Sequence, residues 1–147
     1  MVPFDFFDKP WLIFHGKDDK VSCVQNTCAH RACPLHFGLV VYGCVQCSYH
    51  GWEYAIDSVC EKMPSTHLLN VHIKSLPCVE QDGLIWVWHD TTIPDAPIPS
   101  LVPPSEFNIH SYIVMDFPIE HGLVLDNLLE LYYAPFTHTT TFSKHIS

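Results

Sequence analysis

Basic residues are scarce in this sequence: its 147 residues carry seven Lys plus Arg against sixteen Asp plus Glu, a net charge of −9 at pH 7. A surface of that sign repels phosphate backbones, which excludes nucleic acid as a partner. Long hydrophobic runs are missing too. Purely apolar stretches such as Leu84-Ile85-Trp86-Val87-Trp88 fall far short of the roughly 18 or more residues of a membrane span, so no transmembrane segment is expected. The N-terminus, Met1-Val2-Pro3-Phe4-Asp5-Phe6, has neither a basic stretch ahead of an apolar core nor an Arg- and Ser-rich lead, and no transit peptide is read there. Because Trp11-Leu12-Ile13-Phe14 already reads as a buried strand, the chain is expected to start almost inside a domain, as a fragment would.

Also missing is an even cysteine count. Seven cysteines argue against a fully paired disulfide framework, and their company of eleven histidines points to metal binding in a reducing compartment. Hydrophobic residues, at 48%, suffice for a core in a chain of this length, which excludes disorder.

Between Trp11 and Trp88 short runs rich in Val, Ile and aromatics alternate with turn residues at Gly16-Lys17-Asp18-Asp19, Gly38, Gly43, Asp57-Ser58 and Gln81-Asp82-Gly83. That pattern predicts a mainly β, antiparallel domain over residues 1–93. Five of the eleven residues from Pro94 to Pro104 are proline, which removes ladder donors and marks 94–104 as a linker. Residues 105–147 are expected to open a second, α+β domain, with a strand over Asn108–Phe117 and a helix over Glu120–Tyr133. One strand and one helix enclose no core, so that domain is read as truncated.

The sharpest signal is Cys28-Ala29-His30, sixteen residues, then Cys47-Ser48-Tyr49-His50 followed by Gly51-Trp52. Cys28, His30, Cys47 and His50 form a four-ligand set on two loops. Two thiolates and two imidazoles could hold zinc in a tetrahedron, or a [2Fe-2S] cluster with both Cys on one iron and both His on the other. Zinc fingers usually present a Cys pair and then a His pair. Here each loop donates one of each, which favours the iron-sulfur reading over a zinc-binding structural module.

This quartet resembles the Rieske domain of non-haem iron oxygenases. Cys28-Ala29-His30-Arg31-Ala32-Cys33-Pro34-Leu35, Tyr49-His50-Gly51-Trp52-Glu53-Tyr54 and Cys60-Glu61-Lys62-Met63-Pro64-Ser65-Thr66 are similar to the branch of that family that acts on chlorophyllide a. The resemblance implies a Rieske-type fold with two cluster-binding loops, ferredoxin as electron donor, chlorophyllide a and dioxygen as substrates, and a chloroplast location. In respiratory Rieske proteins a disulfide ties the two loops. Tyr49 stands at one of its positions here, which leaves Cys33 without that partner and favours the oxygenase type. Arg31 is the one local candidate for docking an acidic ferredoxin.

The family also holds a mononuclear Fe(II) by two His and a carboxylate. Asn127 and His138 match its sequence form, Glu130 stands where a bridging Asp belongs, and Tyr133 replaces the first His. With 127, 130 and 133 on one helix stripe, Glu130 becomes the candidate electron bridge and His138 a vestigial iron ligand. The chain alone is therefore expected to bind no mononuclear iron and to catalyse no hydroxylation, supplying electrons to a partner subunit with an intact iron site; a homo-oligomer is the other assembly expected. A stand-alone Rieske-type electron carrier is the alternative. Cys23, Cys44, Cys60 and Cys78 are expected as small buried hydrophobes, His36 as a loop histidine or a donor behind the ligands, and Trp52 as a packing wedge.

Overall fold

The computed structural model describes all residues except 68, 91, 93, 94, 112, 131, 133 and 138–147. Cα packing separates Met1–Val102 from Pro103–Ser147.

In the first unit the chain enters as a strand, β1 (Val2–Phe6), which pairs antiparallel with β2 (Lys9–His15). The two-residue turn between them has Phe7 at φ 49° and Asp8 at φ 57°, the doubly left-handed form whose twist matches a hairpin. The opening residues are thus part of a sheet that the sequence pattern did not announce, because Phe is an unusual residue in the left-handed region. β2 then pairs with β3 (Val21–Gln25), and β3 with β8 (Ser75–Leu76), giving the order β1-β2-β3-β8. Alternation places Leu12 and Phe14 on the buried face of β2, with 0% and 1% of their surface exposed.

Between β3 and β8 the chain builds a second antiparallel sheet: β4 (Leu39–Val41), β5 (Cys44–Gln46), β6 (Glu53–Tyr54) and β7 (Cys60–Lys62), paired in that order. A hairpin of β9 (Cys78–Gln81) and β10 (Leu84–Val87) follows. One core joins residues of both four-stranded sheets and the intervening loops, with Leu12, Phe14, Val24, Leu35, Val45 and Tyr54 all buried. The mainly β, antiparallel architecture is the one expected.

Pro103–Ser147 differs from expectation. No strand forms among the described residues of 108–117, all of which are exposed, since a strand needs a partner for its backbone groups. The helix is shorter than its periodicity suggested: α1 covers His121–Leu129 with no buried residue. Short helices draw their stability from packing an apolar face, and this one ends at Glu130. Pro135 lies in the first turn of a second short helix, α2 (Ala134–Thr137), where its fixed φ is favourable.

Two glycines test this packing. A Cβ at Gly38 would fall on the carbonyl oxygen of Gln46 across β4–β5, while one at Gly83 meets nothing within 4 Å but sits at φ 76°. Gly38→Ala should cost about 2–3 kcal/mol through overpacking, and Gly83→Ala about 1 kcal/mol through backbone strain alone. Urea unfolding of both variants checks the ranking.

Candidate metal centre

Two loops at one end of the second sheet carry the predicted ligands, and they share one backbone frame. In the loop after β3, the N–H of Cys28 donates to the carbonyl of Cys33 at 2.9 Å, and the N–H of Ala32 donates to the carbonyl of Cys28 at 2.9 Å. In the loop after β5, the N–H of Cys47 donates to Trp52 at 2.8 Å and that of Gly51 to Cys47 at 3.0 Å. Each loop closes with a left-handed residue at the same place, Ala32 at φ 52° and Gly51 at φ 69°. The histidine is offset by one position, two residues after Cys28 and three after Cys47.

Neighbours hold this frame. The buried Asn26 side chain accepts from the backbone N–H of His36 at 2.9 Å and lies 2.8 Å from His36 Nδ1. Since an amide nitrogen can only donate, His36 accepts on Nδ1 in that pair, and it is a bonded loop histidine rather than a free one. Asn26 is a residue the sequence reading missed; an Asn just ahead of a Cys-x-His pair carries no distinguishing local signal. Beyond β7, the Met63-Pro64 step walls the second loop. Met63 joins the core with Cys28 and Cys47, and Pro64 Cγ lies 3.3 Å from where a Cβ of Gly51 would be.

The four predicted ligands fall into two pairs. Cys28 and Cys47 are both 2% exposed, and burial pushes the Cys28 thiol above its ordinary pKa, with Cys47 adding to the rise. The Tyr54 hydroxyl and the backbone N–H of His30 act in the opposite sense, as donors aimed at a sulfur anion do. Tyr54, fully buried on β6, accepts from the N–H of Ala29 at 3.0 Å and lies 3.2 Å from Cys28 Sγ. Its own pKa is raised, by burial and then by Cys28, so it keeps its proton.

His30 and His50 form the second pair, ring centroids 4.4 Å apart. Trp52 stacks on His30 at 4.8 Å and 3°, the packing role expected of it. His50 is held below its ordinary pKa by burial and by the His30 and Arg31 charges. His30 Nδ1 is buried with no hydrogen-bond partner among the described residues. A buried imidazole nitrogen left so costs about 1–3 kcal/mol, and a bound metal removes that cost. Among the described residues no three His, Cys, Asp or Glu side chains converge on one point for a single ion. Two buried thiols and two adjoining imidazoles are a donor set that fits a [2Fe-2S] cluster with chemically distinct irons.

A Rieske [2Fe-2S] domain model matches residues 1–78. The chain belongs to the Rieske [2Fe-2S] family. Over 144 residues it is 62% identical to chlorophyllide a oxygenase, chloroplastic, of Oryza sativa subsp. japonica, covering 98% of this chain and 27% of that protein. Its counterpart in Arabidopsis thaliana is likewise 62% identical, with the same coverage. The oxygenase component of dicamba O-demethylase from Stenotrophomonas maltophilia is 32% identical over 139 residues, 89% of this chain and 40% of that one. Among solved structures, dicamba monooxygenase with non-heme iron and dicamba superposes with a TM-score of 0.62 at 31% identity, covering 68% of this chain and 32% of that one. This Rieske chain spans about a quarter of the length of the chlorophyllide a oxygenases it matches.

Other predicted positions in the Rieske chain are less uniform. Cys33 is free, its Sγ 3.9 Å from Ser48 Oγ. Cys23 and Cys60 are buried as expected; Cys44 and Cys78 are only half-buried, with their thiols directed at Glu61 Oε2 and the Val21 carbonyl. Asn127 lies on α1, but Glu130 follows its last turn at φ −92° and ψ 94°, so the expected helix stripe through 127, 130 and 133 is not continuous. Tyr133 and His138 lie outside the described residues.

Asn26→Ala, which removes both contacts to His36, should destabilise the domain by about 2 kcal/mol. Asn26→Asp should lose less, since its carboxylate still accepts from the His36 N–H. Paired thermal melts measure the difference.

Proposed function

We propose that Cys28 and Cys47 hold one iron of the [2Fe-2S] cluster, that His30 and His50 hold the other, and that the chain delivers electrons within an oxygenase resembling chlorophyllide a oxygenase. The observation that carries this reading is the division of the donors: two thiols in the core, that of Cys28 facing hydrogen-bond donors, and two adjoining imidazoles of which one has a buried nitrogen without a partner among the described residues. Such ligation supplies one-electron transfer at about −150 to +300 mV, against about −400 mV for plant-type ferredoxins. Tyr54 and the His30 N–H stabilise negative charge on Cys28 Sγ, while the stacked Trp52 fixes the His30 ring. Ferredoxin as donor, chlorophyllide a as substrate and a chloroplast location follow from the similarity to the rice and Arabidopsis proteins.

Oxidation of substrate also needs an iron with open positions. Glu130 lies beyond α1, and Tyr133 occupies the sequence position of a first imidazole ligand, so the role given to this chain is electron delivery, with the mononuclear iron held elsewhere. Supplied with iron, ferredoxin and dioxygen, the chain alone should not convert chlorophyllide a; adding a polypeptide with an intact iron site should restore conversion. Conversion by the chain alone would contradict this division of labour, as would rescue by Tyr133→His alone.

Ligand variants test the centre itself. Cys28→Ser should lose cluster iron and sulfide and melt earlier, because metal binding is coupled to folding in such loops; full metal content with unchanged melting would refute the assignment. Tyr54→Phe should keep the cluster but lower its potential by about 40 mV, the one-electron equivalent of about 1 kcal/mol lost from one hydrogen bond to a charged sulfur. Redox titration followed by electron paramagnetic resonance reads both the cluster and its potential.

A further inference from the structure

Positive charge is the scarce quantity in this chain, and three of its seven basic residues line two clefts of the first unit that have Lys74 in common. One cleft, of about 550 Å3, passes His30 and is lined by Arg31, His72 and Lys74. The other, of about 410 Å3, has Phe6, Phe7, Trp11 and His89 as its aromatic walls, with Lys9 and Lys74. Neither is lined by any of the sixteen acidic residues.

Their geometry has a common support. The Lys74 carbonyl accepts from the N–H of Gln25 at 2.7 Å, which ties it to β3 just ahead of the first ligand loop. Phe7, 60% exposed at the tip of the β1–β2 turn, rests on the His89 ring with centroids 4.0 Å apart. An aromatic centre with a cationic rim is the composition of a protein-recognition surface, and opposite charge across it raises encounter rates and fixes orientation.

From this we infer that the face running from Arg31 through Lys74 to Lys9 and Phe7, whose two clefts are lined by basic and aromatic but no acidic residues, docks an acidic electron-donor protein beside His30. The inference rests on the reading of the two loops as the cluster site. A chain of net charge −9 repels an acidic protein over most of its surface, so the face that tolerates one is selected by exclusion as well as by attraction.

The test uses the full chain with its cluster loaded and an acidic plant-type [2Fe-2S] ferredoxin, with affinity read by calorimetry. Lys74→Glu and Lys9→Glu should each weaken binding about tenfold at low ionic strength, and added salt should weaken wild-type binding. Lys17→Glu makes the same change in net charge on a turn outside both clefts and should stay within about twofold of wild type. Equal affinity of the Lys74 and Lys9 variants and wild type, or equal losses in all three variants, would overturn the docking face. So would binding of phosphatidylglycerol vesicles that Lys74→Glu abolishes while ferredoxin affinity is unchanged, since the face would then belong to a lipid surface. Paramagnetic resonance of each reduced sample reports the cluster separately: its absence from wild type would refute the cluster reading, whereas its presence with unaltered affinities would refute the docking face alone.

Discussion

Two thiols at 2% exposure and an imidazole nitrogen with no partner among the described residues are poor company for a small β core unless something binds them, and much of the fold is arranged around that requirement. The loops that carry them are closed by the same pair of backbone hydrogen bonds, so Cys28 and Cys47 occupy equivalent positions while His30 and His50 do not. That offset comes from the sequence itself, one residue between Cys and His in the first loop and two in the second. Tyr54 ties the frame to the core, since its hydroxyl meets both Cys28 and the Ala29 N–H. The Rieske centre is thus supported from β6 as well as from its own loops.

The second sheet shows the same economy. Glu53, next to Tyr54 and largely buried, accepts from Gln46 at 2.6 Å and from Lys62 at 2.7 Å, across β5 and β7. A carboxylate so placed has both neighbouring strands as partners, which offsets its burial. It also holds in register the strands from which the second loop springs.

Much of this was legible in the sequence because it depends on residue type and spacing. The Cys-x-His and Cys-x-x-His pairs named the loops, and the apolar run Trp11-Leu12-Ile13-Phe14 marked the buried strand that becomes β2. Other features depend on what meets what in space. Ala32 carries no mark of its left-handed backbone, whereas Gly51, at the same place in the other loop, does. β1 was missed because Phe7-Asp8 does not look like a hairpin turn, although contact with His89 accompanies the unusual conformation of Phe7. Apolar spacing alone extended α1 to Tyr133, but a stripe of Leu and Val does not hold a helix together when no residue of it is buried. The strand expected over 108–117 failed for a related reason: β-propensity supplies no pairing partner.

The central claim is that two imidazoles and two thiolates divide between the irons. Electron-nuclear double resonance on the reduced chain, prepared with 15N-histidine, tests it most directly. The account predicts couplings from two histidine nitrogens, with one set lost in His30→Cys and the other in His50→Cys wherever the cluster is retained. A reduced cluster without any histidine coupling, or a protein holding zinc and silent in both redox states, would contradict it.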